Sequence, residues 1–171
     1  MKFNIVIIGA GEVGFNLAKS LSKEEHDITV IDIDHNKCQK VTNNIDARVI
    51  EGDGCSHRII EQIEMSEVDY LISLTRIDEV NLVASKIGKE RGAKKVICRL
   101  RNTEYGKKTI IDPAQFGINH IVFPEKAARD EITKIITQPS SVDIETFKDE
   151  KITLIGILLD ISSPLIGRTM E

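Results

Sequence analysis

A doubly wound α/β fold with a six-stranded parallel sheet is predicted by three observations. Short apolar runs rich in β-branched residues recur along the 171-residue chain, and stretches with helical spacing separate them. The first run passes directly into a glycine turn, Gly9-Ala10-Gly11-Glu12-Val13-Gly14. Strands alternating with helices over short connections, under the right-handed crossover rule, leave few arrangements other than a parallel sheet.

Phe3-Asn4-Ile5-Val6-Ile7-Ile8 is a buried first strand, and after Gly14 the apolar residues Phe15, Leu17, Ala18 and Leu21 recur as one face of a helix. Ile28-Thr29-Val30-Ile31 is a second strand running into Asp32-Ile33-Asp34, which completes a βαβ unit of the Rossmann type. Each glycine has a separate task in such a unit. Gly9 permits the tight turn, Gly11 lets the backbone approach a pyrophosphate, and Gly14 lets the helix pack on the strand. The helix N-terminus offers unbonded N–H groups and a positive dipole end to that pyrophosphate. Asp32 follows the glycines by roughly 20 residues, where a carboxylate accepts both hydroxyls of an adenosine ribose and repels a 2′-phosphate. Asp34 is expected to be a solvated carboxylate at the strand end.

Residues 35–44 form the next helix, and Ala47 to Glu51 a third strand ending in Gly52-Asp53-Gly54-Cys55-Ser56. Ile59, Ile60, Ile63 and Met65 mark a short helix, and residues 68–74 a fourth strand with Thr75 just beyond it. Residues 79–91 are helical, with Val80, Val83, Ala84 and Ile87 as the inner face and Gly92 as the stop. Residues 95–98 make the fifth strand, leading into Arg99; a helix interrupted near Pro113 is expected over 105–116, and a sixth strand over 117–123. Pro124 opens a helix through Ile136, which Gln138-Pro139-Ser140-Ser141 terminates. Beyond it the character changes: residues 144–147 and 152–161 look like strands. The expected organisation is therefore a nucleotide-binding domain over 1–138 and a truncated second module over 139–171, with a C-terminal edge hairpin folded onto the first domain as the alternative.

In open α/β sheets ligands bind outside the carboxyl ends of the strands. The predicted strands bring Gly9, Gly11, Glu12, Val13 and Gly14, then Asp32, then Asp53 and Gly54, then Thr75, then Arg99 to that edge, a cradle suited to an adenosine diphosphate. Asp53 and the Gly54 backbone suit the adenine edge or a helix cap. Thr75 suits a phosphate, a ribose or a cap, and Arg99 suits phosphate through its bidentate fork or a place in solvent.

Composition removes other functions. The net charge is −4 and the aromatic content is 4% with no Trp, which disfavours nucleic-acid binding. Three widely spaced cysteines, Cys38, Cys55 and Cys98, point to reduced thiols and not to a zinc site. No apolar run approaches the ~20 residues of a membrane helix, and no signal peptide opens the chain. His26, His35, His57 and His120 make no catalytic or metal-ligating group, and residues 139–171 contain no His and are too few to form the substrate domain that hydride transfer needs. A nucleotide sensor is therefore expected, not an enzyme. The alternative is the cofactor half of an NAD-dependent oxidoreductase.

Together these residues resemble the KTN family (the RCK N-terminal or TrkA-N domain) found in Trk-type potassium uptake regulators. The resemblance covers residues 1–138. It rests on the glycine turn, Val30-Ile31-Asp32, Gly52-Asp53-Gly54, Leu74-Thr75 with Asp78-Glu79-Val80-Asn81, Arg99 with Tyr105, and Phe123-Pro124-Glu125. Ser163-Pro164-Leu165-Ile166-Gly167-Arg168-Thr169 is similar to the opening of the TrkA-C module that follows such domains, so the resemblance implies one part of a longer subunit. It also implies a homo-oligomer, dimer or tetramer, that binds NAD(H) on the cytosolic face and gates an integral-membrane potassium transporter subunit of the Trk type. Relatives that respond to ATP or ADP carry an arginine where this chain has Glu12, and an acid matching Glu125 lies near the nucleotide phosphates. A carboxylate at position 12 repels a γ-phosphate, which favours NAD(H) over an ATP-responsive potassium channel or transporter subunit.

Overall fold

In the computed structural model the described residues are 2–106, 112–137, 141–147, 152–157 and 166. Six parallel strands form one sheet: β1 (Asn4–Ile8), β2 (Asp27–Asp32), β3 (Arg48–Glu51), β4 (Tyr70–Ser73), β5 (Lys95–Arg99) and β6 (His120–Val122). Their spatial order is β3-β2-β1-β4-β5-β6, so the winding reverses between β1 and β4. Four helices connect the first five strands: α1 (Glu12–Ser22), α2 (His35–Asn44), the single turn α3 (His57–Ile60), and α4 (Asp78–Glu90).

The period of two along β1 explains why its sequence is apolar throughout. Val6 and Ile8 enter one core with Ile31, Leu71, Val96 and Leu82, while Ile5 and Ile7 enter a second core with Val30, Ile72, Ala18 and Val41. A strand covered on both faces has no solvent side for polar residues. Register follows from the same residues: Ile7 pairs with Val30 on one side and Ile72 on the other.

The first turn is set by glycine at two points. Gly9 has φ +105°, and its N–H donates to the Ile31 carbonyl over 2.7 Å. A Cβ on Gly14 would stand 1.9 Å from the Gly9 carbonyl oxygen, so only glycine lets α1 start so close to β1.

Three segments differ from the sequence reading. Within 105–116, the described residues form 3₁₀ turns at Thr103–Gly106 and Pro113–Phe116; 107–111 lie outside the described residues. Asp112 caps the second turn by accepting from Ala114 N, and Gly117 ends it at φ +70°, which delays β6 to His120. In α4 the buried residues are Asp78, Asn81, Leu82, Ala84, Ser85 and Gly88, whereas Val83 is exposed. The helix is thus rotated from its purely apolar face, because its polar side chains have partners at the strand ends.

Contacts divide the chain into one unit over 1–124 and another over 125–171. The second contains all but the first residue of α5 (Pro124–Thr137) and the strands β7 (Ser141–Phe147) and β8 (Ile152–Ile157), which pair antiparallel as a sheet of their own. Of the 163–169 segment only Ile166 is described, as an exposed turn residue. Among the described residues no helix is long and apolar enough to cross a membrane.

Gly14→Ala should destabilise the chain by about 3 kcal/mol or more, since backbone must move to admit the methyl group; urea unfolding followed by circular dichroism measures it. Cys98 is fully buried, and desolvation pushes its thiol up to about 11. At pH 8 it should react with a thiol reagent about a hundredfold or more slowly than a free cysteine, and at the normal rate in denaturant. Mass spectrometry of the labelled peptides reads this directly.

Candidate nucleotide site at the strand ends

Where the winding reverses, a cleft of about 400 Å³ opens at the carboxyl ends of the strands, within the range of small-molecule sites. Its first wall is the β1–α1 turn. Gly11 is the N-cap of α1 and supplies no side-chain cap, so the first amides of the helix stay open toward the cleft. A Cβ on Gly11 would meet nothing within 4 Å, which leaves space where an anion can reach those amides. Gly9 and Gly11 line the cleft; Glu12, Val13 and Gly14, further along the turn of α1, do not.

The second wall is the end of β2. Asp32 is 9% exposed; its Oδ2 accepts from Ala10 N over 2.6 Å and its Oδ1 from Asp34 N over 2.9 Å. Each oxygen retains a further lone pair. Asp34, expected to be merely solvated, is the N-cap of α2: Oδ1 accepts from Asn36 N at 2.9 Å and Lys37 N at 3.3 Å. Those bonds, with Lys37 foremost, hold its carboxyl below the usual range. Lys37 Nζ sits 3.7 Å from Asp32 Oδ1 and 3.7 Å from Asp34 Oδ2.

Asp53 and Gly54 line the third side. Asp53 Oδ1 accepts from Cys55 N at 2.8 Å, so this carboxylate shapes its own turn and does not cap α3. Gly54 packs on β1, where a Cβ would stand 2.3 Å from Ile8 Cγ2.

The fourth side is the loop after β4, and here the hydrogen bonds are densest. Asn81 is fully buried. Its Oδ1 accepts from Thr75 N at 2.8 Å and from Thr75 Oγ1 at 2.7 Å, while Nδ2 donates to the Thr75 carbonyl at 3.0 Å and the Arg99 carbonyl at 2.9 Å. The Thr75 hydroxyl also accepts from Ile77 N at 3.3 Å. Its single proton thus has a partner within the protein, and the residue orders the loop. Asp78, also buried, accepts from Arg101 N and Asn102 N, tying the end of β5 to α4. Arg99 is half-buried and stands outside the cleft lining; its carbonyl is what joins this network.

Of the residues expected at the site, Gly9, Gly11, Asp32, Asp53, Gly54 and Thr75 therefore line the cleft together. Lys37, Arg76, Ile33 and Ile77 line it as well and went unassigned in the sequence. Ile33 is 73% exposed and Ile77 55%, apolar side chains that line the cleft while open to solvent. The histidines lie elsewhere: His57 pairs with Glu61 at 3.1 Å and with Arg91, and His35 pairs with Glu51 at 2.7 Å. Among the described residues no three His, Cys, Asp or Glu side chains gather as a metal site.

A glycine turn with open helix amides, an acid at the end of β2 and a cleft at the reversal of winding define a Rossmann domain of the nucleotide-binding class. The model of the TrkA-N domain matches residues 5–124, and the chain belongs to that family. A Trk system potassium uptake protein, trkA homolog 1 of Methanosarcina mazei, is 35% identical over 173 residues, which cover 97% of this chain and 42% of that protein. The chain spans about two-fifths of the length of the curated relatives it matches. Among solved structures, the NAD(P)-binding domain of an exopolyphosphatase-related protein from Archaeoglobus fulgidus superposes with a TM-score of 0.67 at 15% identity, covering 80% of this chain and 98% of that one. The GsuK channel bound to NAD gives 0.67 at 13% identity, over 87% and 26% respectively. At such identities these likenesses show the fold.

Asn81→Ala should cost about 3 kcal/mol of stability, because the Thr75 amide and two carbonyls lose their partner in a buried setting. Chemical denaturation with an unchanged m-value is the check.

Proposed function

We propose that this chain is the NAD(H)-binding regulatory module of a Trk-type potassium uptake system, working on the cytosolic face of the membrane beside a potassium-translocating subunit and as a homo-oligomer. In this reading residues 1–138 bind the nucleotide, and residues 139–171 begin a second module. The supporting observation is the pairing of Gly11, bare of a side chain in front of open helix amides, with the Asp32 carboxylate across the same cleft. The amides take the diphosphate, and Asp32 takes the ribose hydroxyls with the lone pairs its two main-chain bonds leave. Ile33 and Ile77 cover the adenine faces, and Asp53 with Gly54 borders its edge. Glu12 disfavours a third phosphate. When bound, NAD(H) would bring its own redox chemistry; this chain's residues bind and orient it.

The names of the relatives and the NAD held by the GsuK channel support the same reading. Regulation then requires that the ligand bind two arrangements of the assembly with different affinity.

The test is calorimetry with NADH, NAD⁺, ADP and ATP on the wild type and on Gly11→Asp. Position 11 is the N-cap of α1, with extended backbone at φ −62° and ψ −176° and empty space at Cβ. The aspartate should leave the unfolding midpoint unchanged or slightly raised, since as a helix cap it is worth only about 0.3 kcal/mol more than glycine. It should lower dinucleotide affinity by about tenfold or more by placing charge against the diphosphate. Binding of none of the four nucleotides, or unchanged affinity in the variant, defeats the proposal.

A further inference from the structure

Two cations line the cleft, and their circumstances differ. Lys37 is held between Asp32 and Asp34 at 3.7 Å from each. Arg76 is exposed and has neither a hydrogen bond nor an ion pair with any other described residue. Its backbone, however, is set in place. The preceding residue, Thr75, is bonded through its N–H, carbonyl and hydroxyl to buried Asn81, and the following residue donates its N–H to the Thr75 hydroxyl. The loop also abuts the glycine turn: a Cβ on Gly9 would stand 3.0 Å from Thr75 N. A long, uncommitted guanidinium therefore rises from a rigid loop directly beside the turn that leads into the open amides of α1.

Charge accounts for what it does there. The cleft-lining side chains carry two acids, Asp32 and Asp53, and two cations, Lys37 and Arg76. Glu12, at the first position of α1, adds a further negative charge beside the phosphate approach. Main-chain amides and a helix dipole suffice for one phosphate. A second phosphate brings more charge, and Lys37 already serves two carboxylates. The geometry points to Arg76 as the residue that selects adenosine diphosphates over the monophosphate, by binding the ligand's second phosphate through its planar fork. This rests on the nucleotide-binding reading above and adds to it the residue that sets which nucleotides are held.

Calorimetry of AMP, ADP and NADH at fixed ionic strength, on the wild-type 171-residue chain and on Arg76→Gln and Arg76→Lys, tests it, with thermal unfolding to show that all three share one fold. Arg76→Gln should weaken ADP and NADH by about tenfold or more and leave AMP within about twofold. Arg76→Lys, which keeps the charge and loses the fork, should fall between. Equal losses for AMP and ADP, or no loss for ADP, overturn the assignment to Arg76 while the nucleotide site itself stands. A wild type that binds none of the three removes the site, and this assignment with it.

Discussion

The cleft depends on one buried carboxylate. Asp32 accepts the Ala10 amide from the β1 turn and the Asp34 amide ahead of α2, and its carbonyl accepts the Gly52 amide beyond β3 over 2.9 Å. A single residue thus fastens the carboxyl ends of three adjacent strands. A charged acceptor strengthens each of its bonds, and an unpaired carboxylate in that position would be costly to bury. The glycine turn and the acid proposed to take a phosphate and a ribose are consequently held in register by the same side chain, so in that reading little ordering remains to oppose binding.

Across the cleft, α4 does the corresponding work with two side chains of matched chemistry. Thr75 presents donors and an acceptor together, and Asn81 answers with an amide that can accept and donate. Arg101 and Asn102 present two N–H groups, and Asp78 answers with an acceptor-only carboxylate. Exchanging the two would set an amide donor against a main-chain N–H at position 78 and a carboxylate against two carbonyls at position 81. Because these polar residues are turned inward to the scaffold, the surface left for a ligand is main-chain amide, the outer lone pairs of Asp32, and the side chains of the loops.

That division accounts for how the fold persists while the sequence drifts. The same sheet is shared with domains at 13–15% identity. What such chains must keep is apolar alternation on two faces and glycine where backbones touch; loop positions such as Arg76 and Ile77 carry no such packing constraint and are exposed. Membership of the TrkA-N family therefore defines the scaffold, and in the proposed reading the loop side chains adjust what the site holds.

The strand–turn–helix order, the roles open to Gly9 and Gly14, and the acid at the end of β2 were legible in the sequence, because each is written in a few neighbouring residues: a period of two, a period near 3.6, a residue that alone tolerates φ +105° or a backbone at contact distance. The inward face of α4 was not. Asn81 reaches the Arg99 carbonyl 18 residues away and Asp78 the Arg101 amide 23 residues away, and a polar residue looks solvent-facing until those partners are in place. Nor did spacing indicate that the Arg99 carbonyl would accept from Asn81, or that Lys37 would be engaged by two acids while Arg76 stayed unengaged among the described residues. By itself the sequence determined the class of fold and the edge of the sheet where a nucleotide would lie. Only tertiary structure decided which polar side chains build that edge and which remain for a ligand, because strand order and register bring distant donors and acceptors together and local periodicity encodes neither.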